Sequence, residues 1–278
     1  MAGKYSRLEV RKLLKKQVEN NKAIFMFGAG IGLSAKCAEI GGADLIGIYS
    51  TAFYRMMGTS SLMAWLPYSN ANDELIKFSR PILPVVKQTP CIAGIGAHDP
   101  TREMDQFVDE VINMGFSGVS NEPFVGIYGK DFADMLESSG IGFSREVELI
   151  KIADSKDVFS VAWAFDTEQA EKMANAGADI IGAMIGLTAG GLSGAKKTIT
   201  LDDAAAETQK ICDAVKKINK DIMVITHGGP FKDVETAKYS IQSTDAVGYA
   251  SGSSGERVPT ETAIIDITKN YKSISLDK

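Results

Sequence analysis

Eight short apolar runs alternate along the chain with segments of helical periodicity. They are Ala23–Gly30, Asp44–Ser50, Pro90–Ala97, Phe116–Asn121, Val158–Phe165, Asp179–Gly186, Ile222–Gly228 and Ala246–Gly252. Runs this short, rich in β-branched and aromatic residues and bounded by glycine or aspartate, predict strands. The intervening segments carry helix-start signals. Asp166 with Gln169 and Thr200 with Asp203 have capping-box spacing, and Asp99 followed by Pro100 predicts a helix opening there. Eight strand–helix units in 278 residues predict an α/β fold, a single (β/α)8 TIM barrel over residues 1–278. A doubly wound open sheet is the competing reading. Glycines inside the runs favour the barrel, whose interior can use close approach. So does an internal repeat: "GGADLIGIYST" in the second run resembles "AGADIIGAMIG" in the sixth, about half a chain away.

The formal net charge is -5 and no dense basic stripe is present, which excludes nucleic acid as an expected partner. The most basic stretch, "RLEVRKLLKKQVENNK", places Leu8, Leu13, Leu14 and Val18 on one side of a helix. It predicts an N-terminal capping helix, and Glu9 and Glu19 count against a membrane-surface role. No apolar run reaches the roughly 18 residues that span a bilayer, so no membrane partner is expected. Cys37, Cys91 and Cys212 are scattered and odd in number, neither a disulfide framework nor a zinc spacing. A cytoplasmic protein with reduced thiols is expected.

The C-terminal ends of barrel strands form the functional rim. His98 and His227, the only two histidines, follow the third and seventh runs, opposite each other across an eight-stranded mouth. Both are candidate catalytic residues because imidazole exchanges protons near neutral pH. The plainer role for each is a hydrogen bond to loop backbone. Glu122, in "SNEPF" after the fourth run, is a candidate base or metal ligand. Asn121 beside it is a candidate for substrate binding, although alternation lets only one of the two face the centre. Asp99 is a helix cap or a metal ligand. Asp44 and Asp179 precede their strands and belong to the opposite, stability face.

Glycine-rich turns suggest an anion site. Gly228 and Gly229 in "HGGPF" and Ser251, Gly252, Ser253 and Ser254 in "ASGSSGER" follow the seventh and eighth runs. Loops in these positions commonly hold phosphate in this architecture, with backbone N–H groups and hydroxyls as donors. Arg257 would add a clamp. Lys196 and Lys197 are further candidates to approach the anion. Gly28 and Gly30 in "FGAGIG" are further candidates to bind the substrate; their turn carries only part of a dinucleotide fingerprint, and no acidic residue ends the second run. No nucleotide cofactor is expected. Two long segments follow the second and fourth runs. The first is unusually apolar, with Met56, Met57, Met63, Trp65 and Leu66, and predicts a lid or a subunit contact. Homo-oligomers are the common outcome.

The segments "GAGIGLSAKCAEIGGADLIGIYST", "LPVVKQTPCIAGIGAHDPTREMD", "GFSGVSNEPFVGIYG", "GADIIGAMIGLTAGGLSGAKK", "HGGPF" and "YASGSSGERVPTETAI" together resemble the phosphoenolpyruvate hydrolase-like TIM-barrel family. The likeness runs from about Ala23 to the C-terminal helix and extends to the barrel of a plant antiviral resistance protein. It implies a distant relation to the phosphoenolpyruvate mutase and isocitrate lyase superfamily. It also implies hydrolysis or lysis of a phosphoenolpyruvate-like or phosphonopyruvate-like acid, with Mg2+ as cofactor held by Glu122 or Asp99. The gating motif of that superfamily is not found in this sequence. The alternative is a ligand-binding or regulatory barrel without turnover, acting through oligomerisation or a protein partner.

Overall fold

A computed structural model describes residues 5–276. Eight parallel strands close into a barrel in chain order. They are β1 (Ile24–Ala29), β2 (Leu45–Ile48), β3 (Cys91–Ile95), β4 (Gly118–Asn121), β5 (Phe159–Ala164), β6 (Ile180–Met184), β7 (Met223–His227) and β8 (Gly248–Ser251). The ring is closed by β1 against β8, with Phe27 opposite Ser251. Side chains alternate inward and outward along each strand. Met26, Leu45, Ile92, Val161, Ile180, Ile225 and Ala250 fill the inside. Val119, Ile46 and Ala93 face the helical layer with Phe107, Val108 and Leu149.

Helix α1 (Arg7–Glu19) closes the base of the barrel. Its buried residues are Val10 and Leu14, which join the inner cluster with Ile24 and Phe159. The apolar side read from sequence is therefore corrected: Leu8, Leu13 and Val18 are exposed. Arg7 fixes the helix by donating to Asp179 at 3.0 Å and to the Gly177 carbonyl at 2.8 Å. The internal repeat has a physical basis at this same end. Gly42 and Gly177 both take positive φ, 88° and 92°, where glycine is strongly favoured. Two residues on, Asp44 accepts from the Phe25 N–H at 2.8 Å and Asp179 from the Ser160 N–H at 3.0 Å. Each aspartate staples its own strand to the preceding one.

The outer helices include α2 (Gly32–Ile40), α5 (Met104–Met114), α8 (Thr167–Asn175), α9 (Leu201–Ile218) and α10 (Val234–Ser243). Asp166 and Thr200 cap α8 and α9 through the Gln169 and Asp203 N–H groups, as their spacing predicts. Asp99 does not open α5, which begins at Met104. The long segment after β2 folds into α3 (Ser50–Met56), a 3-10 turn at Ser61–Trp65 and α4 (Ala71–Ile82). The segment after β4 forms a 3-10 turn at Val125–Tyr128, α6 (Lys130–Ser138) and α7 (Phe143–Ser155). The last helix, α11 (Arg257–Lys272), buries only Arg257. No described helix is long and apolar enough to cross a membrane.

Candidate active site

At the C-terminal end of the barrel a cavity of about 50 Å3 is lined by Tyr49, Thr51, Arg55, Glu122, Trp163 and His227, with Gly252 and Ser253 at its edge. That is several times the ~10–15 Å3 that one water needs, so it has room for a small ligand rather than a single water. Glycines make the interior wide enough for its aromatic floor. A Cβ on Gly28 would fall 1.8 Å from the Tyr49 hydroxyl, and one on Gly182 would fall 2.1 Å from the Trp163 ring. The roof comes from the two long segments. The Trp65 indole N–H donates to the Phe124 carbonyl at 2.7 Å, and the Tyr128 hydroxyl donates to the Trp65 carbonyl at 2.8 Å.

Helix α3 carries Thr51 and Arg55 one turn apart, so both face the mouth. Arg55 is buried, with 4% of its surface exposed. Its Nε donates to Glu256 Oε2 at 2.7 Å and its Nη2 to the Gly28 carbonyl. Nη1 points toward Gly252, where a Cβ would meet it at 3.3 Å. Glu256 also accepts from the Gly30 N–H at 2.7 Å and from the Ser34 hydroxyl. Burial works against the Arg55 charge, but Glu256 and its neighbours outweigh it and hold the guanidinium charged.

Glu122 faces the cavity and accepts from the Thr51 hydroxyl. Burial pushes its carboxyl up to about 7, against the opposing pull of Thr51 and Arg55. His227 Nδ1 lies 2.7 Å from the Ala250 carbonyl. A carbonyl only accepts, so Nδ1 carries the proton and Nε2 keeps a lone pair. Burial, with Arg55 adding to it, brings the imidazole down to about 4. The usual order is thus inverted: carboxylic acid and neutral imidazole coexist near pH 6. The Trp163 Nε1–H is buried without a hydrogen-bond partner.

The other residues expected at the site go elsewhere. Asn121 faces outward. Its Nδ2 donates to Glu146 and to the Trp163 carbonyl at 3.1 Å, and its Oδ1 accepts from the Trp163 N–H at 2.7 Å. Its polar atoms join β4 to β5 and to Glu146 of α7. Ser251 and Ser254 line a groove on the outer wall. The Gly229 N–H is taken by the Gly186 carbonyl at 3.0 Å, and Gly228 approaches the same carbonyl. These two glycines hold the loop after β6. Arg257 donates to Glu261 at 2.7 Å and to the Gly190 carbonyl at 3.1 Å, so it bolts that loop to α11. Lys196 and Lys197 are exposed and do not line the cavity. Gly28 and Gly30 support the Arg55–Glu256 pair. His98 and Asp99 line a separate cavity of about 290 Å3, on the far side of Trp65. Burial lowers the His98 pKa. Asp99 accepts from Thr101 through one oxygen and from Asn70 and Asn72 through the other. Although burial opposes it, these bonds bring Asp99 down to about 2.

The donor set does not fit the Mg2+ expected from sequence. Its two expected ligands, Asp99 and Glu122, lie in different cavities, and among the described residues no three of His, Cys, Asp and Glu gather around one point. Tyr49, Thr51, Arg55, Trp163 and Glu256 were not anticipated. Arg55 did leave a signal, a lone charge in the apolar stretch "TAFYRMM".

The chain is 41% identical over 272 residues, 98% of its length, to the ToMV susceptible protein tm-1(GCR26) of Solanum lycopersicum. The ToMV resistance protein Tm-1(GCR237) of the same plant matches equally. The chain spans 36% of the length of each. Its fold is similar to that of 2,3-dimethylmalate lyase, a PEP mutase/isocitrate lyase superfamily member, with a TM-score of 0.60, 14% identity and coverage of 97% of this chain and 90% of that one. It is also similar to phosphonopyruvate hydrolase in complex with oxalate and Mg2+, with a TM-score of 0.56, 15% identity and coverage of 94% and 84%. At these identities the likeness is one of fold. The phosphoenolpyruvate hydrolase-like family matches residues 9–274, and with nearly the whole chain covered, the protein belongs to that family.

Proposed function

We propose that the chain is an enzyme of hydrolase or lyase type, acting on a small acid akin to phosphoenolpyruvate or phosphonopyruvate at the C-terminal face of the barrel. The observation that carries this reading is the inverted pair, Glu122 raised to about 7 and His227 lowered to about 4. Two groups whose environments push their pKa values apart are suited to acid and base roles. Arg55 Nη1, with the Ser253 hydroxyl nearby, orients the carboxylate of the substrate. His227 Nε2 takes a proton from substrate or water, and Glu122 returns one to the departing group. The Trp65 roof limits access of bulk water, which strengthens each of these interactions.

Steady-state turnover of phosphonopyruvate, phosphoenolpyruvate and oxaloacetate tests the proposal. Wild type should turn over at least one of them. His227→Ala should lose roughly 10²–10⁴-fold in kcat, the usual worth of a positioned acid or base, while still binding oxalate. No turnover of any of the three would move the reading to a binding or regulatory barrel.

One observation favours association as part of the function. The apolar residues Ile264, Ile265 and Ile267 of α11 are 59%, 40% and 50% exposed. A groove of about 730 Å3, lined by Val18, Phe25, Val234, Ala237 and Ile241, lies open beside β1 and β8, and no α11 residue lines it. A second copy of the chain, seating its α11 there, would cover both surfaces. Light scattering should give a mass above one chain for wild type and a lower one for Ile264→Asp/Ile267→Asp. A monomeric wild type would exclude this arrangement.

A further inference from the structure

We infer that the mouth of the barrel binds its small acid on Arg55 with no divalent cation between them. The inference rests on the reading of this cavity as a small-acid site, and it specifies how the acid is held. A protein-bound Mg2+ requires oxygen ligands in near-octahedral array, usually one or two carboxylates completed by water and substrate oxygens. The cavity offers one carboxyl group, Glu122, whose Oε1 already accepts from Thr51. Two buried carboxylates near this cavity, Glu256 and Asp99, are already engaged. Glu256 uses Oε1 on Gly30 and Ser34 and Oε2 on Arg55. Asp99 uses Oδ1 on Thr101 and Oδ2 on Asn70 and Asn72.

What faces the cavity instead is a set of donors. Arg55 is fixed at Nε and Nη2 and directs Nη1 to the Gly252 edge. The Trp163 side chain, 2% exposed, lines the same cavity with an Nε1–H that lacks any partner. A buried donor left unpaired is costly, and a ligand oxygen that came within reach of it would satisfy it. The hydroxyls of Ser61, Thr188 and Ser253 are also on the lining. A guanidinium at this position repels a divalent ion and supplies the positive charge that such an ion would bring. It also offers a carboxylate directional hydrogen bonds.

Calorimetric titration of the full chain with oxalate tests the inference. It is run once with a chelator and once with Mg2+, at equal free oxalate after allowing for its own Mg2+ complex. The expected result is the same dissociation constant within about twofold in both. Trp163→Phe should weaken binding several-fold and Arg55→Lys at least tenfold. Binding that appears only with Mg2+, or tightens more than tenfold with it, overturns the inference and leaves the acid site intact. Absence of binding in both solutions overturns the acid site itself, and the inference with it. The decisive comparison uses wild type alone, so it does not depend on the folding of the Arg55 variant.

Discussion

Two buried arginines, Arg55 and Arg257, are each 4% exposed and each paired with a glutamate. Their partners differ in reach. Glu261 lies four residues from Arg257, whereas Glu256 lies 201 residues from Arg55. Arg257 spends its guanidinium on α11 and the Gly190 carbonyl, between the loop after β6 and the last helix. Arg55 is held from behind and keeps one nitrogen turned to the cavity. Flanking glycines and serines therefore say little about where an arginine ends. The partner that meets it across the fold decides.

Removing each arginine should break the comparison most visibly. Arg55→Ala leaves Glu256, whose side chain is fully buried, without its counter-charge, and should cost about 3–5 kcal/mol of stability in denaturant melts. Equal losses for Arg55→Ala and Arg257→Ala would erase the distinction between the two pairs.

Buried carboxyls that form no ion pair among the described residues sharpen it. Burial pushes Glu146 up to about 8, against hydrogen bonds from the Val125 N–H and from Asn121. Burial likewise raises Glu122 to about 7. A raised carboxyl contributes stability that is complete below its unfolded pKa, near 4.5. That stability is lost as pH rises through the folded value. His227 acts in the opposite direction: its contribution is present above 6.5 and is lost as pH falls through about 4. Between pH 6.5 and 8 the carboxyl effects dominate, so stability should fall with rising pH. Glu146→Gln should remove on the order of 2 kcal/mol of that fall. An unchanged slope in melts across this range would contradict the assignment.

The smallest effect is expected from Arg257→Ala. The Glu261 side chain is 18% exposed, so water can replace the lost partner, and the cost should be about 1 kcal/mol. Faster amide exchange near Gly190 and Leu192, with the barrel strands unchanged, would show that the bolt acts locally.

Much of the barrel was legible because it depends on short-range pattern. The eight runs contain the eight strands, and the repeated Gly-Ala-Asp marks two copies of one staple. The opening of α5 was misplaced because Asp99 and Pro100 are sufficient for a helix start in isolation. In the fold, Thr101, Asn70 and Asn72 draw Asp99 into a different network. At the mouth, Glu122, His227, Gly252 and Ser253 do line the cavity. Strict alternation along β4 and β8 already implies that Asn121 and Ser251 turn away once Glu122 and Gly252 turn in. Arg55 and Glu256 could not be paired from sequence, since the two follow β2 and β8, which become neighbours of β1 only when the ring closes.

The hydrogen bond from Gly30 to Glu256 spans 226 residues. Contacts so distant along the chain form late, after the cost of closing the intervening loop has been met. During synthesis Arg55 emerges long before the carboxylate that will neutralise it. A chain that stalls before β8 can assemble strands and helices but has no counter-ion for its central guanidinium. The Arg55–Glu256 pair thus comes into existence only after β8 has been made, and its presence certifies that the ring has closed.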